Sequence, residues 1–127
     1  MKKIYLIFFL FFSINASANW TEVARTDGNF SIHYIDLTTK QISDNYIKIW
    51  ELVSYPKKLN QDYDIYSAKN LLMVDCYNKR LKYLVAVYYS GLKGNGEVLL
   101  KGNSESDWFY DVPGSAGYAE LKIICNF

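Results

Sequence analysis

The chain has 127 residues, with 14 Lys and Arg against 13 Asp and Glu and a formal charge of +1 at neutral pH. That balance excludes a protein that grips nucleic acid through a basic surface. Charges of both signs are interleaved along the sequence, which excludes a polybasic membrane patch as well. The unusual feature is tyrosine, with 12 residues. A ring that packs on one side and reaches water through its hydroxyl suits β-sheets and recognition surfaces alike.

The N-terminus reads as an export signal. Lys2 and Lys3 precede an unbroken apolar run over residues 4–12, and Ala16-Ser17-Ala18 supplies the small residues of a cleavage site. The run, about nine residues, is too short to span a bilayer, which takes roughly 20 in a helix. A signal peptide is therefore expected over residues 1–18, cleaved after Ala18, followed by a single mature domain over residues 19–127 without a transmembrane helix. Loss of Lys2 and Lys3 brings the mature charge to −1. Asn19 stands where a bacterial lipoprotein would carry its lipidated cysteine. The periplasm is the first expectation for the released chain, with the outer-membrane surface and the medium as other destinations.

Export also sets the redox compartment. Cys76 and Cys125 are the only cysteines, and an even count in an exported domain predicts a disulfide between them. A single distant histidine, His33, does not complete a zinc site with two cysteines. No metal and no cofactor is expected.

In chain order, residues 20–25 and 30–35 alternate as strands around the turn Asp27-Gly28-Asn29, a good hairpin signal. His33 points away from the face of Phe30, Ile32 and Tyr34, as an exposed or half-buried strand histidine with no partner in view. Residues 36–40 break the alternation, with Asp36 placed to bond its own backbone two or three residues on. Residues 46–55 form a long strand with Ile47, Ile49, Glu51 and Val53 on one face and Trp50 and Leu52 on the other. Apolar residues on both faces predict a central position. Pro56 ends it, and residues 57–63 read as the longest exposed loop.

Residues 71–76 predict a short apolar strand, Asn78-Lys79-Arg80 a tight connection, and residues 81–90 a second long strand. Residues 91–96 turn it and residues 97–101 return. Trp108-Phe109-Tyr110 is expected to pack beneath the last element, a helix over about residues 116–124 capped by Ser115. A helix of so few turns is unstable alone and needs packing through Leu121 and Ile124, and the Cys125 bridge. The pattern is that of an α+β domain: short antiparallel strands and one terminal helix.

Motifs that carry chemistry are weak. Asp62-Tyr63-Asp64 lacks the further oxygens and the glycine of a calcium loop. Gly91-x-x-Gly94-x-Gly96 leads into a strand and not into the helix that holds a phosphate, so it reads as a hairpin turn. A hydrolase would need Ser90 as nucleophile, His33 as base and Asp36 or Asp75 as orienting acid, with no nucleophile elbow around Ser90. Catalysis is therefore not expected. Asp75 and Arg80 are placed for an exposed ion pair across the hairpin, and Trp20, Trp50 and Trp108 read as core or helix-packing residues.

Trp20, Tyr34-Ile35-Asp36, Trp50, Tyr66-Ser67-Ala68-Lys69, Asp75-Cys76, Arg80, Tyr89-Ser90-Gly91, Gly94-x-Gly96-Glu97-Val98, Trp108, Pro113-Gly114-Ser115-x-Gly117 and Cys125 together resemble the surface-adhesin protein E family of Gram-negative bacteria. The resemblance spans the mature chain. It implies a six-stranded antiparallel sheet with a C-terminal helix tied to one face by Cys76–Cys125. It also implies a non-catalytic envelope protein that displays itself to host extracellular-matrix proteins. Two positions depart from the family pattern: Asn19 replaces the lipidated cysteine, and Tyr118 follows Gly117 where relatives carry an acidic residue. The alternative reading is a periplasmic accessory protein that binds an envelope protein or small ligand through a free edge strand or the helix-free sheet face. Which residues bind, and whether the chain forms a homodimer, stay open.

Overall fold

The computed structural model describes residues 18–60, 62–103 and 105–127. The signal peptide expected over residues 1–18 falls, up to Ser17, outside the described residues. Six strands run β1 (Thr21–Arg25), β2 (Ile32–Ser43), β3 (Tyr46–Ser54), β4 (Ser67–Asp75), β5 (Arg80–Tyr89) and β6 (Val98–Gly102), and helix α1 (Ala116–Cys125) follows. Each strand pairs antiparallel with the next, giving one sheet in sequence order from β1 to β6. Short links make this order the natural one, since antiparallel neighbours need only tight turns.

Alternation decides the two faces. Ile35, Ile47, Ile49, Leu72, Val74 and Leu81 lie under α1 and form the core with Leu121 and Ile124 from the helix. Trp50, Leu52 and Lys69 point the other way. β3 is central, as its doubly apolar pattern predicts. The helix-free face is partly closed by the β5–β6 connection. The buried hydroxyls of Ser54 and Ser67, opposite each other at the ends of β3 and β4, accept from Lys93 N at 3.2 Å and Gly94 N at 2.8 Å. Gly94 has φ +74°, a left-handed conformation that favours glycine; a Cβ there would sit 2.5 Å from Lys69 Cε, a contact the flexible lysine could relieve.

Helix α1 starts where the cap signal places it. Ser115 accepts at its side chain from Tyr118 N, and Asn126 ends the helix in a left-handed conformation. Cys125 bridges to Cys76 just beyond β4, with 5.6 Å between the Cα atoms. Lys40 Nζ donates to the Ile124 carbonyl at 2.8 Å, a cation at the negative end of the helix.

Five expectations need correction. The break after Ile35 is a bulge within one 12-residue strand. Asp36 does accept from Thr38 N at 3.0 Å, but the ladder resumes at Gln41, so the local Asx bond bends β2 without ending it. β4 begins at Ser67, four positions before the apolar run, because polar Ser67 and Asn70 are buried with partners inside the sheet. The Asp75–Arg80 pair forms at 2.9 Å, but Asp75 is buried instead of exposed. Trp108 does not pack beneath the helix: it stacks on Tyr46, 5.8 Å between centroids, with the Arg80 guanidinium 4.3 Å from its ring. Nor is any of the three tryptophans a core residue, all being half-buried.

Candidate functional site

The residues considered for hydrolysis are not assembled. Ser90 Oγ accepts from Glu97 N at 2.8 Å and closes the β5–β6 turn. Asp36 accepts from Asn19 N, and Asp75 from Asn78 and Arg80. Asp75 and Ser90 flank opposite ends of the ten-residue β5, a separation of about 30 Å at strand rise. In the long loop, Asp64 pairs with Lys58 at 3.3 Å.

Three features remain, each built by the sheet. The first is a groove of about 270 Å³ on the helix-free face, bounded by Trp20, Trp50, Val87 and Tyr89 with Lys69 and Asp36. The meander brings these distant residues onto one face. Lys69 Nζ lies 5.2 Å from the Tyr89 ring centroid, a cation–π arrangement. Such a wall can take an apolar or aromatic side chain.

The second is the β6 edge. Among the described strands β6 pairs only with β5, and all five of its residues are exposed. Three of them in succession are apolar, Val98, Leu99 and Leu100. The rest of the outer edge of β5 is covered by the returning chain, where Phe109 bridges Leu81 and Ser106 N donates to Tyr83 O. The opposite edge strand, β1, lies against α1. Bare backbone and apolar side chains therefore coincide at β6, the arrangement that accepts an added strand.

The third is a polar cluster under α1. Glu51, at the centre of β3, is completely buried and receives Asn70 Nδ2 at Oε1, 3.1 Å. Glu120 descends from the helix, also buried, with Oε1 2.8 Å from His33 Nδ1. His33 Nε2 lies 2.9 Å from Ser31 Oγ, itself 3.1 Å from Thr26 Oγ1. Nitrogen and oxygen atoms of His33, Glu51 and Glu120 all fall within 4.8 Å of one another.

Electrostatics in this cluster follow from burial. Desolvation pushes the Glu51 carboxyl well up, and the charge of Glu120 adds to it. Desolvation also raises Glu120 and lowers His33, the latter partly offset by attraction to Glu51. Tyr83 is raised by the charge of Glu51 and then by burial, and burial pushes Tyr55 up to about 12. A cavity of about 300 Å³ reaches the cluster past Tyr55, Tyr83 and Tyr88. At the helix start Asp111 is raised by burial, and a Cβ on Gly117 would sit 2.4 Å from its carboxylate. That close approach explains the glycine of the Pro-Gly-Ser-x-Gly run.

His33 thus stands where strand parity places it, but its partners were invisible in the sequence. Glu51 reads there as one member of an apolar face, and Glu120 as a helix residue 87 positions from His33. The one available signal was an acidic residue, Glu51, in the middle of an otherwise apolar strand face.

The fold resembles that of solved proteins. Crystal form II of Haemophilus influenzae protein E superimposes with a TM-score of 0.61 at 18% identity, covering 86% of this chain and 97% of that one. The selenomethionine form of the same protein gives 0.60 at 16% identity, covering 84% and 85%. Protein E from non-typeable Haemophilus influenzae gives 0.51 at 14%, covering 87% and 86%. At such identities the likeness establishes the fold. A search of the curated proteins found no match. Residues 20–126, nearly the whole described chain, match the family described as surface-adhesin protein E, and the chain belongs to that family.

Proposed function

We propose that the protein is an exported, non-catalytic binding domain of the cell envelope, a surface adhesin that captures an extended segment of a host matrix protein by strand addition to β6. The single observation that carries this reading is the bare outer edge of β6 with Val98, Leu99 and Leu100 exposed. Backbone hydrogen bonds would supply affinity, and the side chains of β6 would select the partner. Family membership supports adhesion. Ser90, Asp36 and Asp75 are each engaged with partners other than His33, which supports a role without catalysis. No helix among the described residues is long and apolar enough to cross a membrane. A released mature chain beginning at Asn19 would reach the cell surface by association and not through a lipid.

The test immobilises host extracellular-matrix glycoproteins and measures binding of the mature domain and of a Val98→Lys, Leu100→Lys variant by biolayer interferometry. Loss of binding in the folded variant is the expected result; unchanged binding would overturn the β6 site. Asn19 favours the second reading, a periplasmic accessory protein. Protease added to intact cells separates the two, since a protein enclosed by the outer membrane survives. Sedimentation of the free domain tells whether β6 instead pairs with a second copy.

A further inference from the structure

We propose that His33, Glu51 and Glu120 bind one divalent transition-metal ion of the zinc class, held between the sheet and helix α1. The site stands on geometry and on an accounting of hydrogen-bond donors. Three groups converge that can all act as acceptors, with ligand atoms within 4.8 Å of one another. The one donor to Glu51 among the described residues is Asn70, and it serves only Oε1. Glu51 Oε2 is completely buried and receives no hydrogen bond from a donor group; the Glu120 carboxyl lies within hydrogen-bonding reach, a contact that holds only with a proton or a cation between the two. Neither carboxylate meets a Lys or Arg among the described residues. The two buried carboxyl groups share one group that could become a cation, His33, whose protonated form burial disfavours, so at least one carboxyl must hold a proton to avoid a heavy desolvation cost. A divalent ion removes that need, because it balances both carboxylates and leaves the imidazole neutral.

The support around the ligands is that of a metal site. Ser31 Oγ faces His33 Nε2 and can accept a hydrogen bond from Nε2–H, the tautomer that leaves the Nδ1 lone pair directed at Glu120 and the centre of the cluster. Asn70 holds Glu51 through its other oxygen, so that Oε2 is left to coordinate. One nitrogen and two carboxylate donors suit zinc, with ligand distances of about 2.0–2.2 Å. Calcium prefers about six to eight oxygens, and copper(I) prefers sulfur. Ligands of a tetrahedral zinc ion at its usual bond lengths stand about 3.3–3.6 Å apart. Donors lying up to 4.8 Å apart must therefore close by about 1–1.5 Å, and His33 Nδ1 and Glu120 Oε1 must open from 2.8 Å, shifts within the reach of glutamate rotamers. The cavity of about 300 Å³ bounded by Tyr55, Tyr83 and Tyr88 provides access and room for water as the fourth ligand. Such an ion would join β2, β3 and α1 at mid-helix, a second fastening besides the bridge at Cys125.

The test uses the mature protein without a histidine tag, dialysed against chelator and titrated with zinc in a calorimeter. One equivalent should bind saturably, raise the melting temperature and be resistant to competition by magnesium. Cobalt at the same stoichiometry should give visible d–d absorption. Glu51→Gln and Glu120→Gln, checked for folding by near-ultraviolet circular dichroism, should lose the saturable step, whereas Asp64→Asn should retain it. His33 is the only histidine, so its imidazole 15N resonances report on the wild-type protein even if a variant fails to fold. A shift confined to Nδ1 on zinc addition is expected. Binding retained in both glutamine variants, unchanged 15N resonances, or no saturable equivalent would each overturn the proposal.

Discussion

Asp75 carries more weight than an ion pair at a turn usually does. Its burial opposes the charge, but hydrogen bonds from Asn78 and Arg80 and the Arg80 charge outweigh that, holding the carboxyl below its ordinary range. A group whose folded pKa is depressed stabilises above its unfolded pKa, and this stability disappears as pH falls through the folded value. Urea midpoints should therefore drop as pH falls below the ordinary aspartate range of about 4, and Asp75→Asn should flatten that part of the profile. A second residue-scale prediction concerns Asn19, whose backbone nitrogen lies 3.1 Å from Oδ2 of buried Asp36. Cleavage after Ala18 would make that nitrogen an ammonium facing a carboxylate. A protein beginning at Asn19 should be more stable than one that retains Ala16-Ser17-Ala18, by no more than about 1 kcal/mol because the terminus is exposed, and should melt higher. Asp36→Asn should erase the difference, as scanning calorimetry would measure.

At the scale of elements, α1 depends on its attachments. Ten residues do not make a stable helix in water. Leu121 and Ile124 are fully buried, and the bridge to Cys76 closes a loop of 49 residues. Loop-closure entropy gives that bridge about 4 kcal/mol. Cys76→Ser with Cys125→Ser should lower the denaturation free energy by about that amount and lose helical ellipticity first; an unchanged chemical-denaturation curve would contradict the role given to the bridge. The helix itself was legible from Ser115 and the spacing of Leu121 and Ile124, since caps and periodicity are local. β2 was legible only in part: the Asx bond of Asp36 reads as a stop, whereas pairing with β3 on the far side of the bulge carries the strand on to Ser43. Cross-strand pairing overrode a local signal.

At the scale of the molecule, the open sheet has unequal edges. β3 and β4 are paired on both sides and supply half of the core cluster, whereas β6 is exposed along its length. Amide hydrogen exchange should be slowest in β3 and β4 and fast in β6. Val98→Lys with Leu100→Lys should change stability by no more than about 0.5 kcal/mol, since both residues already face water. Measured together, unaltered folding and lost partner binding would separate recognition from architecture. A large loss of stability would instead show that β6 is part of the core.

The sequence alone determined what depends on neighbours in the chain and on covalent chemistry: strand alternation, the turns that join consecutive strands, the capped terminal helix, and a disulfide from the only two cysteines. Tertiary structure decided which groups meet. His33 and Glu120 are 87 residues apart, and only the landing of α1 on the sheet brings them to 2.8 Å. The same holds for Trp108, whose partners Tyr46 and Arg80 come from strands it follows at a distance. Local periodicity records which side of an element is apolar, but not which other element covers it. That choice is made by packing and by closure of the bridge.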